Sequence, residues 1–323
     1  MDPIAVLILA DPADRRLAML DGLPEETRIA AGNSMEAFEG LAAEADVIFN
    51  WSGSPALLRE VLAMAPAARW VHTRSAGLDD LPLSELAAHP AMLTNATGVF
   101  SPSLGEFVLG AILYFAKDFR RLVRHQAAGV WEPFDVPFVE GQTVGIVGYG
   151  DIGRAVATRV RAMGMRVLAL KRHAPPAGTV DPLADRIYGP DSRCEMLAQC
   201  DFVVISAPLT AETRGMIGVA ELAAMQRRAV LINVGRGPVV DEAALIRALS
   251  EGSIRGAALD VFDREPLPAR HPFYGLENVL LSPHSADHTP DWLERSMRFF
   301  LEQFERFRTG QPLANVVDKR LGY

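Results

Sequence analysis

The chain has 323 residues, a formal net charge of −8, and 49% hydrophobic residues with 7% aromatics. That length exceeds what one core ordinarily fills and suits two domains, and the acidic balance excludes a general nucleic-acid partner. The composition fits a soluble α/β protein, and the two cysteines, Cys194 and Cys200, follow no metal-ligand spacing, so they read as packed thiols of a reducing compartment and no metal site is expected.

The first apolar run, Ile4 to Ala10, is too short to cross a membrane. It follows an acid rather than a basic residue, a poor signal peptide, and so predicts a buried first strand of a cytoplasmic protein. Further buried strands are predicted at Asp46 to Asn50, Arg69 to Thr73 and Ala91 to Asn95, with helices at Asp14 to Leu20, Met35 to Glu44 and Pro55 to Met64 between them. Such alternation implies a parallel sheet covered by helices. Ser101 then reads as an N-cap, with Pro102 at the first helical position. The helix it opens should run through the apolar stretch Phe107 to Phe115 and end in the basic cluster Lys117 to Arg124. Trp131 to Pro137 reads as irregular and proline-marked.

A second alternating series starts at Thr143, with strands predicted at Thr143 to Val147, Arg166 to Leu170, Asp201 to Ser206, Ala229 to Val234, Gly256 to Asp260 and Asn278 to Ser282. Its first strand runs into Gly148-Tyr-Gly150-Asp151-Ile152-Gly153 and then a helix near Arg154. In that context Gly148 makes the tight turn, Gly150 admits a pyrophosphate, and Gly153 lets helix and strand approach. Six strands make a full dinucleotide-binding (Rossmann) sheet. A last helix is predicted at Trp292 to Phe307. Because the glycine motif lies mid-chain, residues 1–100 and 290–323 are expected to form one discontinuous domain and 101–289 the dinucleotide-binding domain. The active site is expected between them, where pockets commonly form.

Hydride transfer to a 2-keto acid needs a cation for the carboxylate and carbonyl, a proton donor working near pH 7, and a group to hold that donor. Three loops just past predicted strands offer them: Arg236 in Asn233-Val-Gly-Arg-Gly, Glu265 before Pro266, and His284 in Ser282-Pro-His. Residues beyond the carboxyl ends of parallel strands face the ligand crevice. Taken with Ser206-Ala-Pro-Leu-Thr-Ala-Glu-Thr213 and Asp260, these ordered motifs cover essentially the whole chain, which resembles the D-isomer-specific 2-hydroxyacid dehydrogenases.

That resemblance implies an oxidoreductase with two doubly wound parallel-sheet α/β domains, a Rossmann cofactor domain inserted in a flavodoxin-like substrate domain. It implies that Arg236 binds the substrate carboxylate and carbonyl, and that His284 is the acid/base. Glu265 would hydrogen-bond His284, fix its tautomer and favour its protonated form. Ser75, Ala76 and Gly77 match the segment whose backbone amides meet the substrate carboxylate. Cofactor contacts fall to Gly148, Gly150, Asp151, Ile152, Gly153, Ala207, Pro208, Thr213, Val234, Gly235 and Asp260, the other reading of Asp260 being simply the end of a strand. A homodimer through the long apolar helix is also implied. Glu265 stands where the formate dehydrogenase branch has glutamine, which points to the hydroxyacid branch. Trp51, in Asn50-Trp-Ser-Gly-Ser54, stands where phosphoglycerate enzymes offer arginine, so a small unphosphorylated acid such as glyoxylate or hydroxypyruvate is expected there. Trp51, Phe100, Trp131 and Trp292 are candidate pocket residues, and the other six histidines read as structural.

The end of the second Rossmann strand reads Leu170-Lys171-Arg172-His173. NAD enzymes place an acid there for the ribose 2′-hydroxyl. Two cations instead would attract a 2′-phosphate, so NADP(H) is expected over NAD(H). The rival reading, from another class, is a dinucleotide-sensing co-repressor that keeps the same three residues.

Overall fold

The structure, a computed structural model, describes residues 3–51, 54–79, 81–176 and 179–322. Ser52 and Gly53 of the Asn50–Ser54 stretch, and Tyr323, lie outside the described residues. The chain divides into two compact units, Met1–Phe100 with Thr289–Tyr323, and Ser101–His288.

In the first unit, β1 (Ala5–Leu9), β2 (Arg28–Gly32), β3 (Val47–Asn50), β4 (Trp70–Thr73) and β5 (Met92–Thr94) form a parallel sheet of order β2-β1-β3-β4-β5, the flavodoxin-like order. β1, β3 and β4 are buried at every residue, so their sequences do not alternate apolar with polar, and Asn50, His72 and Thr73 are buried polar residues among them. On one face Leu7, Leu9, Ile48 and Val71 meet Leu58, Val61 and Leu62 of α1 (Pro55–Met64). That helix begins where Ser54 Oγ accepts the Leu57 N–H and Pro55 fills the first turn. A short α2 (Leu83–Ala88) follows β4. On the other face Ile8, Phe49 and Trp70 meet Met297, Phe300 and Phe304 of the C-terminal helix, Trp292–Arg308. Phe49 and Phe300 stack with centroids 3.9 Å apart. Each such large buried side chain contributes roughly 1.5–3 kcal/mol.

The second unit opens with α3 (Ser101–Ala116) and α4 (Phe119–Ala128). Seven strands follow: β6 (Thr143–Val147), β7 (Arg166–Leu170), β8 (Arg186–Tyr188), β9 (Phe202–Ile205), β10 (Val230–Asn233), β11 (Gly256–Leu259) and β12 (Val279–Leu281). All pair in parallel in the order β12-β11-β10-β9-β6-β7-β8, the Rossmann order with a seventh strand added. α5 (Asp151–Ala162) packs against α3. The other helices are α6 (Arg193–Leu197), α7 (Val219–Ala224) and α8 (Glu242–Ser250), whose apolar side chains share a core with Val147, Leu168, Val203 and Leu231.

Several elements depart from the sequence reading. β2 was not predicted because Arg-Ile-Ala-Ala-Gly at a sheet edge is mostly exposed and carries no apolar run. Met35 to Glu44, expected as one helix, is two single 3-10 turns, Met35–Ala37 and Ala42–Glu44. Asp14 to Leu20 is likewise a 3-10 segment, Arg15–Gly22, capped by Asp14 on the Arg16 N–H. The long helix does not reach Arg124. It stops at Ala116, Asp118 takes a left-handed conformation at φ 48°, and α4 starts anew. β8 and the helices α2, α7 and α8 also lay below the resolution of the pattern. Cys194 and Cys200 are free thiols. Burial, with the Asp201 charge beside it, pushes the Cys200 thiol up to about 12, so it behaves as a small packed hydrophobe. Among the described residues no helix is long and apolar enough to cross a membrane.

Candidate active site

The glycine turn after β6 is shaped by close approach. Gly148 has φ 92°, and a Cβ there would lie 2.4 Å from the Ala207 backbone nitrogen. Only glycine lets this turn rest on the loop after β9. Ser206 Oγ donates to the Gly148 carbonyl at 2.9 Å, tying the two loops. At Gly153 a Cβ would meet the Gly148 carbonyl oxygen at 2.7 Å. Gly150 is different: nothing lies within 4 Å of where its Cβ would stand. Gly150 is the N-cap of α5, whose first turn begins with Asp151 and Ile152, and it supplies no capping side chain. Exposed amides at the positive end of a helix fit a pyrophosphate. β6 lies between β7 and β9, where the strand order reverses, the usual ligand crevice of such sheets. The residues present therefore fit a dinucleotide.

The loop after β7 is braced against this turn. Tyr149 Oη and Arg154 Nη1 both donate to Asp181, each at 2.9 Å. Burial alone would raise the Asp181 carboxyl. Hydrogen bonds from the Leu183 amide, Arg154 and Tyr149, with the Arg154 charge, instead hold it at about 2. Lys171 is exposed, and its amide donates to the Tyr188 carbonyl. Arg172 Nη2 bonds Glu212 Oε1 at 2.6 Å. Across the crevice, Thr213 Oγ1 donates to the Pro208 carbonyl at 2.6 Å, which folds the loop that continues from Ala207.

The three expected catalytic residues follow the adjacent strands β10, β11 and β12. Buried Asn233 shapes the first loop: its Oδ1 accepts the Gly235 amide and its Nδ2 donates to the Arg236 carbonyl. Val234 donates its amide to Ile205, and Arg236 Nη1 reaches the Gly235 carbonyl at 2.8 Å. A Cβ on Gly237 would lie 2.0 Å from the Phe262 carbonyl carbon, so the arginine loop rests directly on the next one. In that next loop the Phe262 amide donates to Glu265 Oε1 at 2.9 Å. The other oxygen, Oε2, accepts from His284 Nδ1 at 2.6 Å. A carboxylate on Nδ1 fixes the tautomer and leaves Nε2, without a hydrogen bond among the described residues, as the working nitrogen.

Asp260 was expected as a cofactor contact, but its side chain is 1% exposed. Its Oδ1 accepts from Ser282 Oγ at 2.5 Å and from the amides of Ser285 at 2.9 Å and Ala286 at 3.1 Å. Its carbonyl also takes the His284 amide. The structure therefore makes Asp260 a positioning residue for the His284 loop. Sequence offered one signal for this: an acid at the end of a buried strand, where a charge must find donors.

In the first unit, the Ser75 and Ala76 carbonyls accept from the Ala96 amide and Asn95 Nδ2, while the amides of Ser75, Ala76 and Gly77 have no acceptor among the described residues. Trp51, expected in the substrate pocket, is 1% exposed, donates its indole N–H to Asp14 and lies under the Arg74 guanidinium. It is a packing residue. Phe100 is buried and its ring meets Trp292 at 6.1 Å, whereas Trp131 of the second unit is 97% exposed. Among the other histidines, His72 is buried within aromatic rings, and burial pushes it down to about 3, too low for proton transfer near neutrality. His271 also meets a carboxylate, Glu242 at 3.0 Å, but its second ring nitrogen is spent on the Phe273 amide.

Comparison with known proteins identifies the family. Residues 109–286 match the family described as D-isomer specific 2-hydroxyacid dehydrogenase, NAD binding domain. A glyoxylate/hydroxypyruvate reductase B of Serratia proteamaculans is 35% identical over 340 aligned positions, covering 99% of each chain. A D-isomer specific 2-hydroxyacid dehydrogenase of Xanthobacter autotrophicus Py2, solved with NADPH and MES, superposes with a TM-score of 0.83 at 30% identity over 100% of both chains. An NADPH-dependent glyoxylate/hydroxypyruvate reductase of Sinorhizobium meliloti, solved with NADP and sulfate, does so with a TM-score of 0.83 at 27% identity, again over 100% of both. The chain belongs to the D-isomer-specific 2-hydroxyacid dehydrogenases, NAD(P)-dependent oxidoreductases that act on small 2-keto and 2-hydroxy acids.

Proposed function

We propose that this enzyme uses NADPH to reduce glyoxylate, hydroxypyruvate or a similar small 2-keto acid to the D-2-hydroxy acid. The observation that carries the chemistry is the 2.6 Å bond from His284 Nδ1 to Glu265, which leaves Nε2 for the substrate. Arg236 grips the substrate carboxylate and carbonyl oxygen, and stabilises the charge that develops on that oxygen. His284 Nε2 delivers the proton to the same oxygen, while Glu265 keeps the ring in place. A bound nicotinamide supplies the hydride. Gly148, Gly150, Asp151, Ile152 and Gly153 hold the pyrophosphate, with Ala207, Pro208, Thr213, Val234 and Gly235 along the same crevice. Asp260 fixes the loop that carries His284. The relatives' names support the substrate class: the Serratia and Sinorhizobium proteins are both glyoxylate/hydroxypyruvate reductases.

NADPH preference is supported by Lys171 and Arg172 at the end of β7, where no acid stands, and by the two neighbours solved with NADPH or NADP. We also propose a homodimer. Exposed apolar side chains concentrate on α4 and the segment after it, with Val123 at 64%, Trp131 at 97% and Phe138 at 82%. The test of the reaction is a panel of 2-keto acids assayed by NADPH absorbance and repeated with NADH. Turnover of glyoxylate or hydroxypyruvate, with kcat/KM higher for NADPH, is the expected result. Equal or better kcat/KM with NADH would end the cofactor assignment, and absence of turnover across the panel would favour a dinucleotide-sensing role.

A further inference from the structure

We propose that Glu212 sets how strongly this enzyme discriminates NADP(H) from NAD(H), by competing with the 2′-phosphate for Arg172. The inference rests on the placement of the dinucleotide proposed above. β6 lies between β7 and β9 in the sheet. Arg172 follows β7 and Glu212 follows β9, so their 2.6 Å ion pair spans the end of β6, where the Gly148 turn departs. The pair thus lies over the crevice that receives the adenosine half of the ligand.

Glu212 stands on a turn knotted by its neighbours: the Thr210 amide donates to Thr213 Oγ1 at 2.8 Å, and Thr213 Oγ1 donates to the Pro208 carbonyl. The turn is then tied down by the Gly215 amide on the Pro238 carbonyl and the Ile217 amide on Val239. The backbone under Glu212 is therefore held in place, and its carboxylate meets the Arg172 guanidinium through two long side chains. Both side chains are well exposed, 37% for Arg172 and 60% for Glu212. An exposed pair of this kind is worth only about one- to fivefold in an equilibrium. A phosphate carrying nearly two charges and accepting two parallel N–H bonds can take the guanidinium from it.

The consequences have opposite signs for the two ligands. For NADP(H), Glu212 both competes for Arg172 and repels the phosphate. For NAD(H), the same carboxylate can accept from the free 2′-hydroxyl, the part that an acid at the end of the second strand usually plays. Arg172 favours the phosphorylated ligand and Glu212 moderates that preference.

Isothermal titration of the full chain with NADP+ and NAD+, without substrate, reads this directly in wild type, Glu212→Gln, Arg172→Ala and the double variant. Glutamine is isosteric and position 212 is exposed, so the fold is expected to survive, and matching thermal melts check it. Glu212→Gln is expected to tighten NADP+ by about three- to tenfold while leaving NAD+ unchanged or weakened by up to about fivefold. In the Arg172→Ala background the gain for NADP+ is expected to shrink to about twofold or less. A gain for NADP+ below about threefold, equal tightening of both dinucleotides, or the same gain without Arg172 would each overturn the proposal. The cofactor reading fails separately, if wild type binds NAD+ as tightly as NADP+. In that case the change in ratio caused by Glu212→Gln still decides the part played by Glu212.

Discussion

Gly150→Ala distinguishes space needed by the fold from space needed by the ligand. At Gly148 an added methyl would stand 2.4 Å from Ala207 N and 2.5 Å from its Cα, in a backbone of φ 92°. Those are backbone atoms and cannot yield cheaply. The left-handed conformation costs about 1–2 kcal/mol for alanine and the overpacking about 1–3 more, so Gly148→Ala should lose about 2–5 kcal/mol of stability. At Gly150 φ is negative, −94°, and the methyl would meet nothing within 4 Å. Its stability cost should stay below about 1 kcal/mol. The methyl would, however, occupy the approach of the pyrophosphate to the first amides of α5. Losing one or two charge-assisted bonds there should weaken the dinucleotide by about 1.5–3 kcal/mol, roughly 10- to 150-fold in Kd. Urea titration of both variants and calorimetric binding of NADP+ to Gly150→Ala separate the two effects. Gly150→Ala with wild-type affinity would refute the assignment of this turn to the pyrophosphate. Loss of stability equal to that of Gly148→Ala would refute the claim that the space is open.

Four further outcomes are expected. His284→Gln should cut kcat by about 10²–10⁴ while the NADP+ Kd measured by calorimetry stays within about twofold; unchanged kcat removes the assigned role. Asp260→Asn keeps an acceptor but loses the charge that three donors share, and should cost about 1–3 kcal/mol in urea unfolding, with a lower kcat as the His284 loop loosens. Replacing Trp131 and Phe138 together with glutamate should convert a dimer to a monomer in sedimentation, and a dimer that survives would place the interface elsewhere. His72 is pushed from 6.5 down to about 3, so its folded-state value is depressed and the neutral ring stabilises the fold fully above about 6.5, losing that contribution as pH falls toward 3. Between pH 7 and 5 the wild type should therefore lose about 2 kcal/mol more than His72→Gln, and parallel urea curves for the two proteins would contradict this.

The sequence was most readable where burial was complete. β1, β3, β9 and β10 lie in the middle of their sheets and are apolar at nearly every position, so their runs stand out within a residue or two of their true ends. β2 and β8 are edge strands, with residues such as Arg28 and Arg186 facing water, and nothing apolar announces them. The break between α3 and α4 was hidden for another reason. Asp118 caps α4 through its carboxylate on the Arg121 amide, yet in sequence it is one acid inside a basic, helix-favouring stretch. Propensity alone gives no reason to stop there.

The site shows the same division at finer grain. Arg236, Glu265 and His284 were legible because each follows a buried strand in a recognisable order, and the strands themselves are adjacent. The supporting groups were not. Asp260 acts through donors more than twenty positions away, and Glu212 through an arginine forty positions away. Such partners are neighbours only after the sheet has formed. His284 itself occupies φ 51°, a left-handed conformation that costs a residue with a Cβ about 1–2 kcal/mol. The loop holds it there because Asp260 accepts the His284, Ser285 and Ala286 amides around the bend. With the backbone committed to Asp260 and Nδ1 committed to Glu265, the one donor this residue has left to offer is Nε2. The strain is thus tied to the chemistry: a histidine released from this bend would lose the Glu265 bond that orients its ring, and with it the placing of Nε2, which gives up a proton from the imidazolium and takes one back as the neutral ring.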